Sequence, residues 1–251
     1  MIRYRIADSM EDMGYRAADM AAEQIADKPD GVLGLATGST PLPLYEELTR
    51  RSDAGEVDFS GVRTVNLDEY VGLPGDHPQS YRYFMQVHLF DHIPIDPANT
   101  ALPDGMAEDL ADECRAYDAL IEAWGGIDLQ VLGIGHNGHI GFNEPGSVFT
   151  LKTHVVDIAR RTRIANARFF RGDPERVPGQ AVTMGIGNIM AARKIVLLVS
   201  GRSKAEILER ALCGDVNPLV PASVLQLHPD VTVIADQQAA ACIEIPEAAM
   251  I

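Results

Sequence analysis

Lysine is scarce in this chain. Only Lys28, Lys152, Lys194 and Lys204 are present among 21 basic residues, set against 36 acidic ones, and the net charge is −15. Such an acidic balance argues against nucleic acid and anionic membrane as general partners, so any phosphate site has to be positive locally. Cysteine is equally sparse. Cys114, Cys213 and Cys242 are far apart and odd in number, and they form neither a CxxC pair nor a metal pattern with histidine, which fits a reducing cytoplasm. No apolar run approaches the roughly 20 residues of a membrane span. The opening MIRYRIADSMEDMGYRAADM carries charges where a secretory signal would be apolar. Internal repeats, low-complexity tracts and dividing linkers are also absent. What remains is a globular composition, 46% hydrophobic over 251 residues, which suits one domain spanning 1–251.

Strand-like runs recur along it with amphipathic stretches between: IRYRIA, VLGLA, VRTVNLD, DLQVLGIG, AVTMGI, KIVLLVSG and VTVIAD. Several are apolar almost throughout, as parallel strands buried on both faces are. The alternation predicts an α/β fold, a Rossmann-like, mainly parallel sheet with helices on both faces. In such folds ligands sit beyond the carboxyl ends of strands.

The most informative such end is DLQVLGIGHNGHIGFNEP, residues 128–145, which crowds Asn137, His139, Asn143 and Glu144 behind an apolar strand. Each polar side chain there has to find a partner or cost about 1–3 kcal/mol. Gly133, Gly135 and Gly138 formally match GxGxxG. That fingerprint needs a helix to begin at once, and Pro145 opposes one, so the glycines are read as giving a sharp turn and close ligand approach.

Other strand ends carry two readings each. Thr37 to Pro41 is an ordinary βα turn with Thr40 as N-cap and Pro41 as first helical residue, or an oxyanion cradle made of free amides and a helix dipole. Asp68 and Glu69 are solvated carboxylates, or one of them is a base over a substrate; strand geometry sends them to opposite faces. Ser203 and Glu206 read as a capping box that puts Lys204 in a first helical turn, a position that favours a nearby anion. The segment of about 146–180 gathers Lys152, Arg160, Arg161, Arg163, Arg168, Arg171 and Arg176. It is a solvated helical face, or a lid that brings arginine to a phosphate.

Taken together, ATGSTPLPLY, TVNLDEYVGL, HPQSYRYFM, GIGHNGHIGFNEPG, TRIANARFF, VPGQAVTMGIGNIMAARKIVLLVSG and LQLHPDVTVIAD resemble the glucosamine-6-phosphate deaminases, also called isomerases, from the first strand to about Asp236. The turn after VLGLA is shared with 6-phosphogluconolactonases, whereas NLDEY with GHIGFNEP looks like the deaminases. The resemblance implies an amino-sugar phosphate as substrate, opened from its ring, enolised and deaminated with water to fructose 6-phosphate and ammonia. It implies His139 as the ring-opening group, assisted by Glu144, and Asp68 as the base that moves a proton from C2 to C1. It implies Gly38, Ser39, Thr40, Arg168 and Lys204 around the phosphate. Neither a metal nor an organic cofactor is implied.

This chain departs from part of that family in two places. Asn137 stands where many members have aspartate; an amide orients an imidazole without stabilising imidazolium by a full charge. The basic positions that bind N-acetylglucosamine 6-phosphate in activated members fall on His154 and Val156, and the chain stops at Ile251, so no such activation is expected. Three rivals remain: a 6-phosphogluconolactonase-like hydrolase, a galactosamine-6-phosphate deaminase, and a non-enzymatic sugar-phosphate sensing module. Asp68 in NLDEY speaks against the lactonase, the C4 epimer is not readable from sequence, and the acidic balance without a helix-turn-helix opposes a DNA-linked sensor.

Overall fold

The computed structural model describes residues 2–250; the chain end at Ile251 lies outside them. In chain order the elements are β1 (Arg3–Ala7), α1 (Met10–Asp27), β2 (Val32–Leu35), α2 (Leu42–Asp53), β3 (Arg63–Asn66), β4 (Asp68–Tyr70), α3 (Tyr81–His88), β5 (Thr100–Ala101), α4 (Leu110–Ala123), β6 (Leu129–Gly133), β7 (His154–Asp157), α5 (Arg160–Asn166), β8 (Gln180–Thr183), α6 (Ile186–Met190), β9 (Lys194–Val199), α7 (Ala205–Cys213) and β10 (Val231–Asp236).

Seven strands form one parallel sheet in the order β1-β10-β9-β6-β2-β3-β5. Its central strands are buried on both faces, as their unbroken apolar sequences require. Along β9, Ile195, Leu197 and Val199 point to a core shared with Tyr117, Ile121, Ile189 and Leu208 of α4, α6 and α7. Val196 and Leu198 point to the opposite core, with Met13, Ala17 and Ala21 of α1, Leu44 and Leu48 of α2, and Met85 of α3. Helices therefore cover both faces. α1 starts where Ser9 accepts a hydrogen bond from the Asp12 amide, with Glu11 and Asp12 in its first turn. Its Gly14 lets α2 approach closely, because a Cβ there would lie 2.5 Å from Pro43.

Two sequence expectations are corrected. VRTVNLD is two strands: β3 ends at Asn66, and β4 leaves for a second sheet of order β4-β8-β7. AVTMGI does not join the parallel sheet either, since β8 runs antiparallel to both β4 and β7, with Thr183 opposite both Asp68 and His154. An apolar run records burial and leaves the pairing partner open. The strands β5 and β7 were not marked by the sequence: β5 is two residues long, and β7 has only Val155 and Val156 between a histidine and an aspartate. No helix among the described residues is long and apolar enough to cross a membrane.

Candidate active site

After β2 the chain builds β3 and β5 on one side, then returns to place β6 on the other side of β2 and β9 beyond it. The order reverses between β2 and β6, and a crevice opens beyond the carboxyl ends of strands at such a point. A cavity of about 650 Å³ lies there, lined by Gly38, Ser39 and Thr40 after β2, Asp68 of β4, Asn137 and His139 after β6, Arg168, and Lys204 after β9. Glu144 stands just behind this lining, held by Asn137. A second hollow between α1 and α2 contains none of these residues; its Glu11, Asp12, Glu46 and Glu47 disfavour an anion.

The loop after β6 contains no helix between Ile134 and Gly146, so the helix that a dinucleotide fingerprint needs is missing and its rejection stands. Gly138 and Gly141 have φ of 88° and 58°, in the left-handed region that glycine adopts without strain. Gly135 is needed for space, because the His139 ring lies directly over it. Three of the four polar side chains find hydrogen-bond partners, and His139 Nδ1 finds none. Asn143 donates to the carbonyls of Ile140 at 2.9 Å and Met184 at 2.8 Å, so it staples the loop to the end of β8. Asn137 accepts from the His139 amide at 3.2 Å and donates from Nδ2 to Glu144. Its amide thus orients the carboxylate; the imidazole faces Glu144, with Nδ1 3.5 Å from Oε1. Glu144 also accepts from the Thr162 hydroxyl at 2.6 Å. Burial acts to raise its carboxyl, and His139, Thr162 and Asn137 together outweigh burial and hold it below the ordinary value.

Asp68 and Glu69 divide as strand geometry demands. Glu69 is 3% exposed and accepts from the amides of Tyr70 at 2.8 Å, Tyr81 at 2.9 Å and Arg82 at 2.9 Å, so it caps α3. Asp68 faces the cavity from a buried position, and burial, followed by the neighbouring Glu69 charge, pushes its carboxyl up to about 8.

The opposite wall is cationic. Gly38 has φ of 104°, which lets the turn after β2 open toward the cavity. Two capping expectations fail here. α2 begins at Leu42 with Pro41 in the cap position, and Thr40 makes no cap hydrogen bond, which leaves its hydroxyl to the cavity. Ser203 and Glu206 form no capping box, because Arg202–Lys204 is a 3₁₀ turn and Lys204 itself takes the cap position of α7 with no side-chain cap bond. Lys204 instead reaches across to β6 and donates to the Ile134 carbonyl at 2.6 Å. Burial first, then Arg168 and Arg161, lowers its ammonium to about 8. The turn that carries it is fixed by Asp236, which accepts from the Gly201 amide at 2.8 Å and the Ser200 hydroxyl at 2.6 Å. Three mutually unfavourable cations, a glycine turn and free hydroxyls suit an oxyanion.

Arg161, Thr162, Asn166 and Arg168 reach the cavity from α5 and the following 3₁₀ turn, Ala167–Phe169. This part of 146–180 is anchored by its own small cluster, where Phe170, Ile158 and Val177 pack with Tyr70 and Phe142. Asn166 also donates to the Tyr70 hydroxyl at 2.9 Å. Sequence reasoning did not single out Thr162. A lone threonine among arginines has no pattern, and its partner Glu144 is 18 residues away. Tyr81 and Phe142, stacked at 6.2 Å between centroids, form an apolar floor that was likewise unmarked.

Known proteins resemble this chain in sequence and in fold. Residues 6–234 match the family model described as glucosamine-6-phosphate isomerases/6-phosphogluconolactonase. A glucosamine-6-phosphate deaminase of Thermoanaerobacter pseudethanolicus is 55% identical over 95% of this chain and 94% of its own length. One from Clostridium perfringens is 52% identical over 95% and 98%. Among solved structures, a monomeric glucosamine-6-phosphate deaminase superposes with a TM-score of 0.93 at 46% identity, covering 96% of this chain and 100% of that one. A 6-phosphogluconolactonase from Trypanosoma brucei, at 17% identity and a TM-score of 0.78, shares the fold. With nearly the whole length matched, this chain belongs to the family of glucosamine-6-phosphate isomerases and 6-phosphogluconolactonases.

Proposed function

We propose that this protein converts glucosamine 6-phosphate and water to fructose 6-phosphate and ammonia. The carrying observation is that a buried carboxylate, an imidazole with its own carboxylate partner, and a cationic turn line one cavity. The relatives at 52–55% identity are named for this activity. The 6-phosphate lies on Gly38, Ser39 and Thr40 between Arg168 and Lys204, where a dianion relieves the repulsion among the cations.

His139 carries a proton from the anomeric hydroxyl to the ring oxygen, which opens the pyranose to an aldehyde; Glu144 supports the positive charge that the imidazole gains. Asp68 then removes the C2 proton while the substrate's ammonium gives one to O1, leaving a neutral C1=C2 enolamine. A desolvated carboxyl with a raised proton affinity is a stronger base than one in water, and the substrate's ammonium beside it favours its ionised form on binding. Return of the proton to C1 leaves an iminium at C2, and water converts this to the ketone with release of ammonia. Every step is a proton transfer, a C–O or C–N cleavage or a water addition, so the reaction calls on no metal and no organic cofactor. Residues 146–180 act as the lid that excludes bulk water from these steps.

The positions expected to carry N-acetylglucosamine 6-phosphate in activated relatives are His154, whose Nδ1 is 3.0 Å from the Lys152 carbonyl, and Val156. Neither offers a permanent positive charge, which supports a reading without that activation. The reducing cytoplasm remains the proposed compartment. Ammonia release from glucosamine 6-phosphate, with Asp68→Asn in parallel, tests the reading. We expect release by the wild type and a loss of at least about a hundredfold in the variant. Opening of 6-phosphogluconolactone without ammonia release would transfer the protein to the lactonase branch, and binding without turnover would make it a sensor. Comparison with galactosamine 6-phosphate decides the C4 epimer.

A further inference from the structure

Glu144 Oε1 has two claimants. The Thr162 hydroxyl donates to it at 2.6 Å, while His139 Nδ1 stands 3.5 Å away and, although buried, has no hydrogen-bond partner. The other carboxylate oxygen is held by Asn137. Asn137 belongs to the same loop as His139, so it fixes the carboxylate relative to that loop. Thr162 does not. It comes from α5, and the same continuous helical run carries Arg168 in its 3₁₀ extension, Ala167–Phe169. Six residues of helix place the two roughly 9 Å apart along one rigid axis. Thr162 is itself buried, at 6% exposure, and nothing in its position suggests a cap, since α5 has no side-chain cap bond.

A displacement of Oε1 by about 0.5 Å toward the ring brings the His139–Glu144 pair into charge-assisted hydrogen-bond range. The group that holds Oε1 from outside the loop is the Thr162 hydroxyl. We infer that Thr162 is a positioning residue: it sets the His139–Glu144 separation according to where the Arg160–Phe169 run sits, so that an anion drawn to Arg168 is felt at the imidazole. The proposal rests on the assignment of His139 and Glu144 to ring opening and of Arg168 to phosphate. It adds that phosphate capture and ring opening are coupled through one hydroxyl. Phosphorylated sugars then gain in rate as well as in affinity, because the remote phosphate tightens the acid–base pair.

The test uses the full chain, inorganic phosphate as the probe, and the imidazole ¹⁵N shifts of His139 as readout. In wild type, phosphate is expected to move the Nδ1 resonance toward a hydrogen-bonded position. Thr162→Val, which keeps the shape and removes the hydroxyl, is expected to abolish that response, and Thr162→Ser to restore it. With the sugar, Thr162→Val is expected to lower kcat on the order of tenfold, as for one hydrogen bond of orientation, with KM within about twofold of wild type. An unchanged His139 response in Thr162→Val, or none in wild type, overturns the coupling. So does a serine variant that behaves like valine, or a loss confined to KM. The backbone amides of Gly38 to Thr40 report phosphate binding separately. If they stay still, the phosphate assignment fails and the coupling with it; if they move while His139 does not, only the coupling fails.

Discussion

The imidazole of His139 lies flat against the backbone of Gly135, so that a Cβ on that glycine would meet Nε2 at 2.2 Å and Cδ2 at 2.4 Å. The contact fixes the ring from below while Glu144 faces it from the side. Gly135→Ala is therefore expected to fold and to displace the imidazole, since the ring can swing aside more cheaply than the sheet end can move. Ammonia release should fall by at least about a hundredfold, the usual worth of a positioned acid–base group. A steady-state assay alongside circular dichroism checks it; a folded variant with near-wild-type kcat contradicts the proposed role of His139.

Burial of Asp68 has a thermodynamic sign. Its carboxyl titrates near 8 in the folded chain against an ordinary value of 3.8. Between those limits the folded state holds a proton that the unfolded state has lost, so stability declines as pH rises through this window. Asp68→Asn removes the effect. The variant should melt higher than wild type, by a few degrees, with a margin that grows from about pH 4 to about pH 8 and then levels off. Melting curves across that range decide the matter, and a margin that shrinks with rising pH would be the wrong sign.

Lys204 is required charged and Asp68 ionised, and both titrate near 8. The profile of kcat/KM should then be a narrow bell centred near that pH, with Asp68 on its acid side and Lys204 on its alkaline side. In kcat the bell should broaden both ways, because bound phosphate stabilises the ammonium and the substrate's amine stabilises the carboxylate. Lys204→Arg, whose charge persists at higher pH, should move the alkaline flank of kcat/KM upward at some cost in KM. An alkaline flank identical in both proteins assigns it to another group.

Glu69 differs from its neighbour in kind. In Glu69→Gln one oxygen that accepts from a backbone amide becomes an NH2 group, which leaves an N–H at the start of α3 unpaired. The loss should be about 1–3 kcal/mol, or roughly 2–4 °C of Tm per kcal/mol for a chain of this size. Below its Tm the variant should still release ammonia. Removal of the Glu69 charge also relieves one of the causes that raise Asp68, so the acid flank of kcat/KM should move down. Calorimetry with a pH profile checks both, and a stable but inactive variant contradicts the division of roles.

The amino-acid sequence determined the alternation of strands and helices, because burial on both faces of a parallel sheet leaves unbroken apolar runs that need no partner to be recognised. It also determined which segments carry chemistry, because glycine turns and polar residues after such runs are costly without a ligand or a partner. It did not determine that AVTM would leave the main sheet, that Ser203 would not cap α7, or that Asn137 would hold Glu144 while the imidazole stands 3.5 Å away. Pairing, capping and hydrogen-bond choice are competitions among groups distant along the chain, and their outcomes differ by only a few kcal/mol. Thr162 shows the limit most plainly. Alone it is one hydroxyl in a basic helix, and only the tertiary approach of α5 to the loop after β6 makes it a partner of Glu144.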